Sequence, residues 1–176
     1  MASAKPLHLD PIEEARRHWE AHGWGDAASG MAMVTSIMRA QQILIARVDG
    51  ALAPFNLSFA RYEVLMLLLF SREGSLPLGK VGARLQVHPA SVTNAVNRLE
   101  ADGLVCRLPH PTDGRTTLAG VTPAGRRVAR QATEALNAAV FEATGLSARQ
   151  DDQVFGLLRR LRMAEGDFDT GGSPRD

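Results

Sequence analysis

The sequence lacks the features that mark several protein classes. It carries one cysteine, Cys106, in 176 residues, which excludes an internal disulfide framework and fits a reducing compartment. Its longest apolar run, VLMLLLF at residues 64–70, is far too short to span a bilayer. The opening MASAKPLHLDPIEEARRHW has no apolar stretch of signal-peptide length, so a cytoplasmic protein without membrane partners is expected. There is little net charge, formally +1, so the total neither demands nor excludes a nucleic-acid partner and the distribution must decide. No Gly-rich phosphate loop or serine nucleophile elbow is present, leaving catalysis without candidate residues and a cofactor without a binding motif.

The one metal-like motif is HWEAH. His18 and His22 stand at i and i+4 with Glu14 and Glu20 nearby, a spacing that two metal ligands need. The hydrolytic version places a glutamate directly after the first histidine, and here that position is Trp19. No further Cys/His cluster offers a third ligand, so surface histidines are expected rather than a metal site.

What is present is an amphipathic, mostly helical chain with 45% hydrophobic residues, ample for a core. Asp10 and Pro11 are an N-cap and N1 pair for a helix to about His22. HGWGD breaks it, and Met31, Val34, Met38, Ile45, Val48 and Leu52, with Ile37 and Leu44, predict one long helix from about Ser29 to Ala53, ended by Pro54. Ser58 caps a third helix to about Ser71, apolar nearly all round. LGKVGARLQ and ASVTNAVNRLEADG predict two short helices, the second with Val92, Val96 and Leu99 inward and Gly103 as its stop. Thr122 and Pro123 open a helix to about Ala143, and SARQ at 147–150 is a capping box for the last one.

Between the fifth and sixth helices, LVCRL and TTLAGV flank PHPTDGR, which reads as a β-hairpin with a loop longer than two residues. Asp113 and Gly114 suit a turn, but a turn has no need of Arg115 at its tip. Two short helices followed by a hairpin are the parts of a winged helix-turn-helix, in which the second helix enters the major groove and the wing lies against the backbone or minor groove. Arg115 then has a use, in the narrow minor groove, with Asp113 able to hold its guanidinium and Gly114 letting the tip turn. The outward set of the second short helix, Ala90, Ser91, Thr93, Asn94 and Asn97, is small or hydrogen-bonding, as approach to base edges and phosphates requires. Charge agrees: from Leu78 to Arg130 eight basic residues (Lys80, Arg84, Arg98, Arg107, Arg115, Arg126, Arg127, Arg130) stand against Glu100, Asp102 and Asp113.

The ordered set LPLGKVGARLQVHPASVTNAVNRLEADGLV, the Asp113-x-Arg115 tip and VTPAGR resembles the MarR family of bacterial transcriptional regulators, over roughly Ser29 to Met163. The resemblance implies a homodimer held by N- and C-terminal helices, two winged modules on a pseudo-palindromic double-stranded DNA site, and repression relieved by a small-molecule effector. Asn94 departs from the arginine that many members carry there, so base preference does not carry over. His88 stands where a Ser or Thr N-cap is common, leaving that cap unassigned or pH-sensitive. The extra N-terminal helix with Trp19 is similar to the urate-responsive subgroup, but the accompanying Asp and Arg fall on Glu63 and Asn94 here. Trp19, Met38, Tyr62 and Glu63 are the candidate walls of an effector pocket, with simple core as the alternative. For Cys106 a structural role is expected over redox sensing.

Dimerisation also follows from the residues. Ala132, Ala135 and Ala139 would allow close helix contact, and Val154, Leu157, Leu158 and Leu161 make an apolar stripe that a small monomer leaves uncovered, unless intrachain packing covers it. Two-fold symmetry would set the recognition helices about 34–36 Å apart. The expected architecture is therefore a mainly α (α+β) winged helix-turn-helix with a two-stranded β-wing. A disordered lead covers 1–9, N-terminal dimerisation helices 10–54, the winged module 55–123, C-terminal dimerisation helices 124–164 and a disordered tail 165–176. The competing reading is a helical protein-interaction dimer that has lost DNA binding.

Overall fold

Polar side chains at the ends of apolar runs set most of the helix starts. In the computed structural model, which describes residues 7–113 and 116–168, the Asp10 carboxylate accepts from the Ile12 backbone N–H at 2.9 Å and opens α1, Pro11–Ala21. Ser58 opens α3, Phe59–Phe70, and Thr122 opens α6, Pro123–Leu136. The Ser147–Gln150 capping box opens α7, Ala148–Ala164. All four begin where the sequence places them. The long helix α2, Gly25–Leu52, starts earlier than the expected Ser29, because the break is confined to the turn around Gly23 at φ +86°. Pro54 tightens the chain instead of ending it outright, since it lies in the first turn of a 3₁₀ segment, Ala53–Phe55, where no amide donor is needed.

The two short helices are α4, Leu78–Leu85, and α5, Pro89–Ala101. Gln86 closes α4 in the left-handed region at φ 54°, and Gly82 lets the pair approach, since a β-carbon there would stand 3.3 Å from Val92 Cγ2. After α5 come β2, Val105–Pro109, and β3, Thr117–Val121, antiparallel with Val105 opposite Val121 and Pro109 opposite Thr117. The wing is the expected pair of strands, β2 and β3, and a third strand that the sequence did not disclose, β1, Ser75–Pro77, pairs with the other side of β3 and gives the order β1-β3-β2. Three residues ending in proline carry no readable alternation, and only the long-range pairing makes them a strand.

α6 runs on into a π-helical turn, Asn137–Phe141, and so ends short of the expected Ala143. Arg47 of α2 clamps this end, its Nη2 donating to the carbonyls of Ala139 and Ala143, both at 2.6 Å. The core lies where α3, α5, α6 and the sheet meet, with Leu52, Leu65, Leu68, Val81, Val92, Val96, Leu99, Val105 and Leu136 at 2% exposure or less. Ala132, expected at a dimer contact, is fully buried in this core, where it cannot meet a second chain. Burying these side chains at roughly 1.5–3 kcal/mol each is the main support of the module.

α7 buries no residue of its own. Residues 165–168, expected in a disordered tail, are held instead: Arg162 Nε reaches the Asp167 carboxylate at 2.7 Å, and the Gln86 side-chain amide donates to the Asp167 carbonyl. No single helix among the described residues is long and apolar enough to cross a membrane.

Candidate nucleic-acid interface

α5 is amphipathic in the sense a reading helix requires. Val92, Ala95, Val96 and Leu99 are buried, while Ala90, Ser91, Thr93, Asn94 and Asn97 are all exposed on the opposite side. The structure therefore brings the five expected contact residues of this helix onto one solvent face. The unassigned cap is resolved: His88 does the work itself, its ring Nδ1 accepting from the Ala90 backbone N–H at 3.2 Å. Thr93 donates its hydroxyl to the Pro89 carbonyl at 3.1 Å, which fixes its methyl and oxygen in one rotamer.

The acids near this face are engaged by cations. Asp102 meets Arg61 of α3 at 3.3 Å, and Glu100 meets Arg107 of β2. Lys80, Arg84 and Arg98 are exposed and take no ion pair among the described residues, so the surface around α5 is left with a positive excess. Arg107 also donates to Asn97 Oδ1 at 2.5 Å, a link between the hairpin and the helix that sequence reasoning missed, because it depends on the register of β2 against α5.

At the hairpin, His110 organises the turn. Its Nδ1 accepts from the backbone N–H of Asp113 at 3.2 Å and of Thr112 at 3.3 Å. The Asp113 carboxylate accepts from the Thr116 hydroxyl at 2.7 Å, and its carbonyl from the Thr116 N–H at 3.0 Å. Gly114 and Arg115, and with them the expected Asp113–Arg115 pair, lie outside the described residues. Cys106 is half-buried on β2 with Sγ 3.6 Å from the Gly120 carbonyl.

The four candidate effector residues are placed as follows. Trp19 is half-buried and meets Trp24 edge-on with ring centroids 5.4 Å apart. Met38 is 58% exposed on α2. Tyr62 is buried with its hydroxyl 3.0 Å from that of Thr133, and burial pushes the Glu63 carboxyl up from the usual carboxylate range. None of the four lines either of two clefts on the described surface, one between α4 and α5 and the other between α2 and α7. The second cleft is apolar, walled by Met33 and Ile37 on one side and Val154, Leu157, Leu158 and Leu161 on the other, and so gathers the stripe expected to mediate dimerisation. At HWEAH, the His22 Nδ1 is turned to the His18 carbonyl at 2.7 Å. Among the described residues no group of three or more His, Cys, Asp or Glu is arranged to hold a metal.

Residues 57–117 match the model of the MarR family. The chain is similar to Sco5413, a MarR family transcriptional regulator from Streptomyces coelicolor, with 51% identity, a TM-score of 0.72, and coverage of 80% of this chain and 98% of that one. It is also similar to Sco3205 from the same organism, a MarR family regulator solved in complex with DNA, with 25% identity, a TM-score of 0.68, and coverage of 81% and 93%. CouR from Rhodococcus jostii, solved with p-coumaroyl-CoA bound, is 27% identical with a TM-score of 0.65, over 73% of this chain and 90% of that one. A likeness to the urate-responsive subgroup is not among these findings.

Proposed function

The chain belongs to the MarR family of DNA-binding transcriptional regulators, which are not enzymes, and from that premise we propose that it is a homodimeric repressor whose hold on a pseudo-palindromic operator is released by a small molecule. The observation that carries the DNA-binding part is the exposed face of α5, where Ala90, Ser91, Thr93, Asn94 and Asn97 stand together with no unpaired acid among the described residues beside them. A helix surface that merely met solvent would carry glutamate and lysine. Ser91, Thr93, Asn94 and Asn97 offer donors and acceptors to base edges and phosphates, Ala90 gives close approach, and Asp113, Gly114 and Arg115 take the wing to the minor groove.

Dimerisation is supported by the apolar groove between α2 and α7, whose walls a second copy of the chain would cover. Because both half-sites must be met at once, a small change in the spacing of the two α5 helices costs much of the affinity. The effector in this reading binds between the long helices and the winged module, near Trp19, Met38, Tyr62 and Glu63. That CouR was solved with p-coumaroyl-CoA bound supports the reading that this chain, too, takes a small-molecule effector.

The test is fluorescence anisotropy against a labelled duplex from the chain's own upstream intergenic region, with a scrambled duplex as control, at two salt concentrations. Specific binding at two chains per site, weakened steeply by salt, is expected. Absence of salt-dependent affinity for any duplex would favour a helical interaction dimer that has lost DNA binding.

A further inference from the structure

Asn97 is oriented by the hairpin. Nη2 of Arg107 donates to Asn97 Oδ1 at 2.5 Å, while Nη1 of the same guanidinium donates to Glu100 Oε2. A guanidinium carries donors only, so the amide of Asn97 has to turn its oxygen toward Arg107 and its amino group away. Asn97 is itself exposed, and the amino group, with two N–H donors, is therefore the part of the side chain it can offer to an incoming surface.

We propose that Arg107 is a positioning residue that fixes Asn97 as a hydrogen-bond donor toward DNA, so that Asn97 meets an acceptor, either O6 or N7 of guanine, O4 of thymine or N7 of adenine, or a phosphate oxygen. This rests on the reading of α5 as the DNA-contacting helix. A free asparagine favours adenine because its oxygen accepts from the base amino group while its own amino group donates to N7. Here the oxygen already holds a charge-assisted bond, and a second donor brought to it would stand beside a cation.

Two features keep the arrangement in place. Asn97 and Glu100 are i and i+3 on α5, so one guanidinium bridges neighbouring positions of the same face and the Glu100 carboxylate holds it beside Asn97. Arg107 comes from a paired strand position, opposite Ala119 in the β2–β3 register, which limits its swing. The hairpin thus decides which end of a recognition-helix side chain faces outward.

The test uses the full chain and the operator that the anisotropy assay identifies. Asn97→Asp preserves size and keeps an oxygen for Arg107 but removes both donors. It is expected to weaken operator binding about tenfold or more while leaving thermal unfolding unchanged. Arg107→Ala is expected to weaken binding in the wild-type background and to add less than about twofold in an Asn97→Ala background, because the two act through one contact. If Asn97→Asp binds as wild type does, the inference falls. It also falls if the two losses multiply and Arg107→Ala lowers the salt slope by about one, since Arg107 would then act as a phosphate charge of its own. Operators carrying single methylphosphonate or single base substitutions locate the acceptor: the Asn97 effect vanishes at one phosphate or at one base pair. A wild-type chain that binds no duplex overturns the DNA reading itself, an outcome separate from binding that ignores Asn97.

Discussion

Gly125 of α6 sits so close to Leu104 that a β-carbon on it would lie 2.0 Å from the Leu104 carbonyl oxygen. The approach is built by Thr122, which accepts from the Gly125 N–H at 3.0 Å and donates its hydroxyl to the Gly103 carbonyl at 2.8 Å. This accounts for the glycine of the VTPAGR segment: α6 begins against the backbone that leads into β2. Gly125→Ala is expected to destabilise the fold by about 1–3 kcal/mol or more, because backbone has to move. Chemical denaturation would show it, and an unchanged midpoint would mean the approach relaxes freely.

Arg115→Ala should weaken operator binding strongly and lower the dependence on salt by about one counterion, with folding and dimer mass unchanged. Anisotropy titration across a salt series checks this. An affinity that stays the same at every salt concentration would remove the wing from the interface.

Glu63 predicts a pH dependence whose sign follows from burial. Desolvation raises its folded-state pKa above that of the unfolded chain, so the protonated carboxyl favours folding. That contribution is complete below the unfolded value and is lost as pH rises through the folded one. Glu63→Gln, neutral throughout, should therefore raise the melting temperature at about pH 7.5 and leave it nearly unchanged at about pH 4. Equal gains at both pH values would point to packing and not to charge.

Leu157 and Leu161 are 64% and 42% exposed in the single chain and wall the groove with Met33 and Ile37. Leu157→Glu combined with Leu161→Glu should leave a folded monomer with much weakened operator binding, since glutamates at exposed positions cost a monomer little. Light scattering and circular dichroism on the same sample decide between this and a stripe that covers nothing. A variant that stays dimeric would place the interface elsewhere.

Local chemistry made much of this legible in advance. Asp10, Ser58, Thr122 and Ser147 are caps with short-range mechanisms, and their helices start accordingly. The face of α5 was readable because helical spacing separates Val92, Val96 and Leu99 from Ser91, Asn94 and Asn97. What escaped depends on partners distant in the chain. β1 exists through its pairing with β3, the π-helical turn ends under the Arg47 clamp, and the Arg107–Asn97 contact needs β2 and α5 in one register. The apolar stripe of α2 predicts a helix but not how far it is covered: Val34 is 49% exposed, because only the far end of the helix reaches the central cluster.

The small strand β1 has a mechanical consequence. Ser75 and Gly120 are paired across it, so the chain passes into the reading head and out of it at one seam, with α4, α5 and the hairpin strung between as a closed loop. One run of backbone hydrogen bonds along β3 therefore holds both the entry to α4 and the returning arm of the hairpin, so that α5 and the hairpin share an anchorage on the same strand.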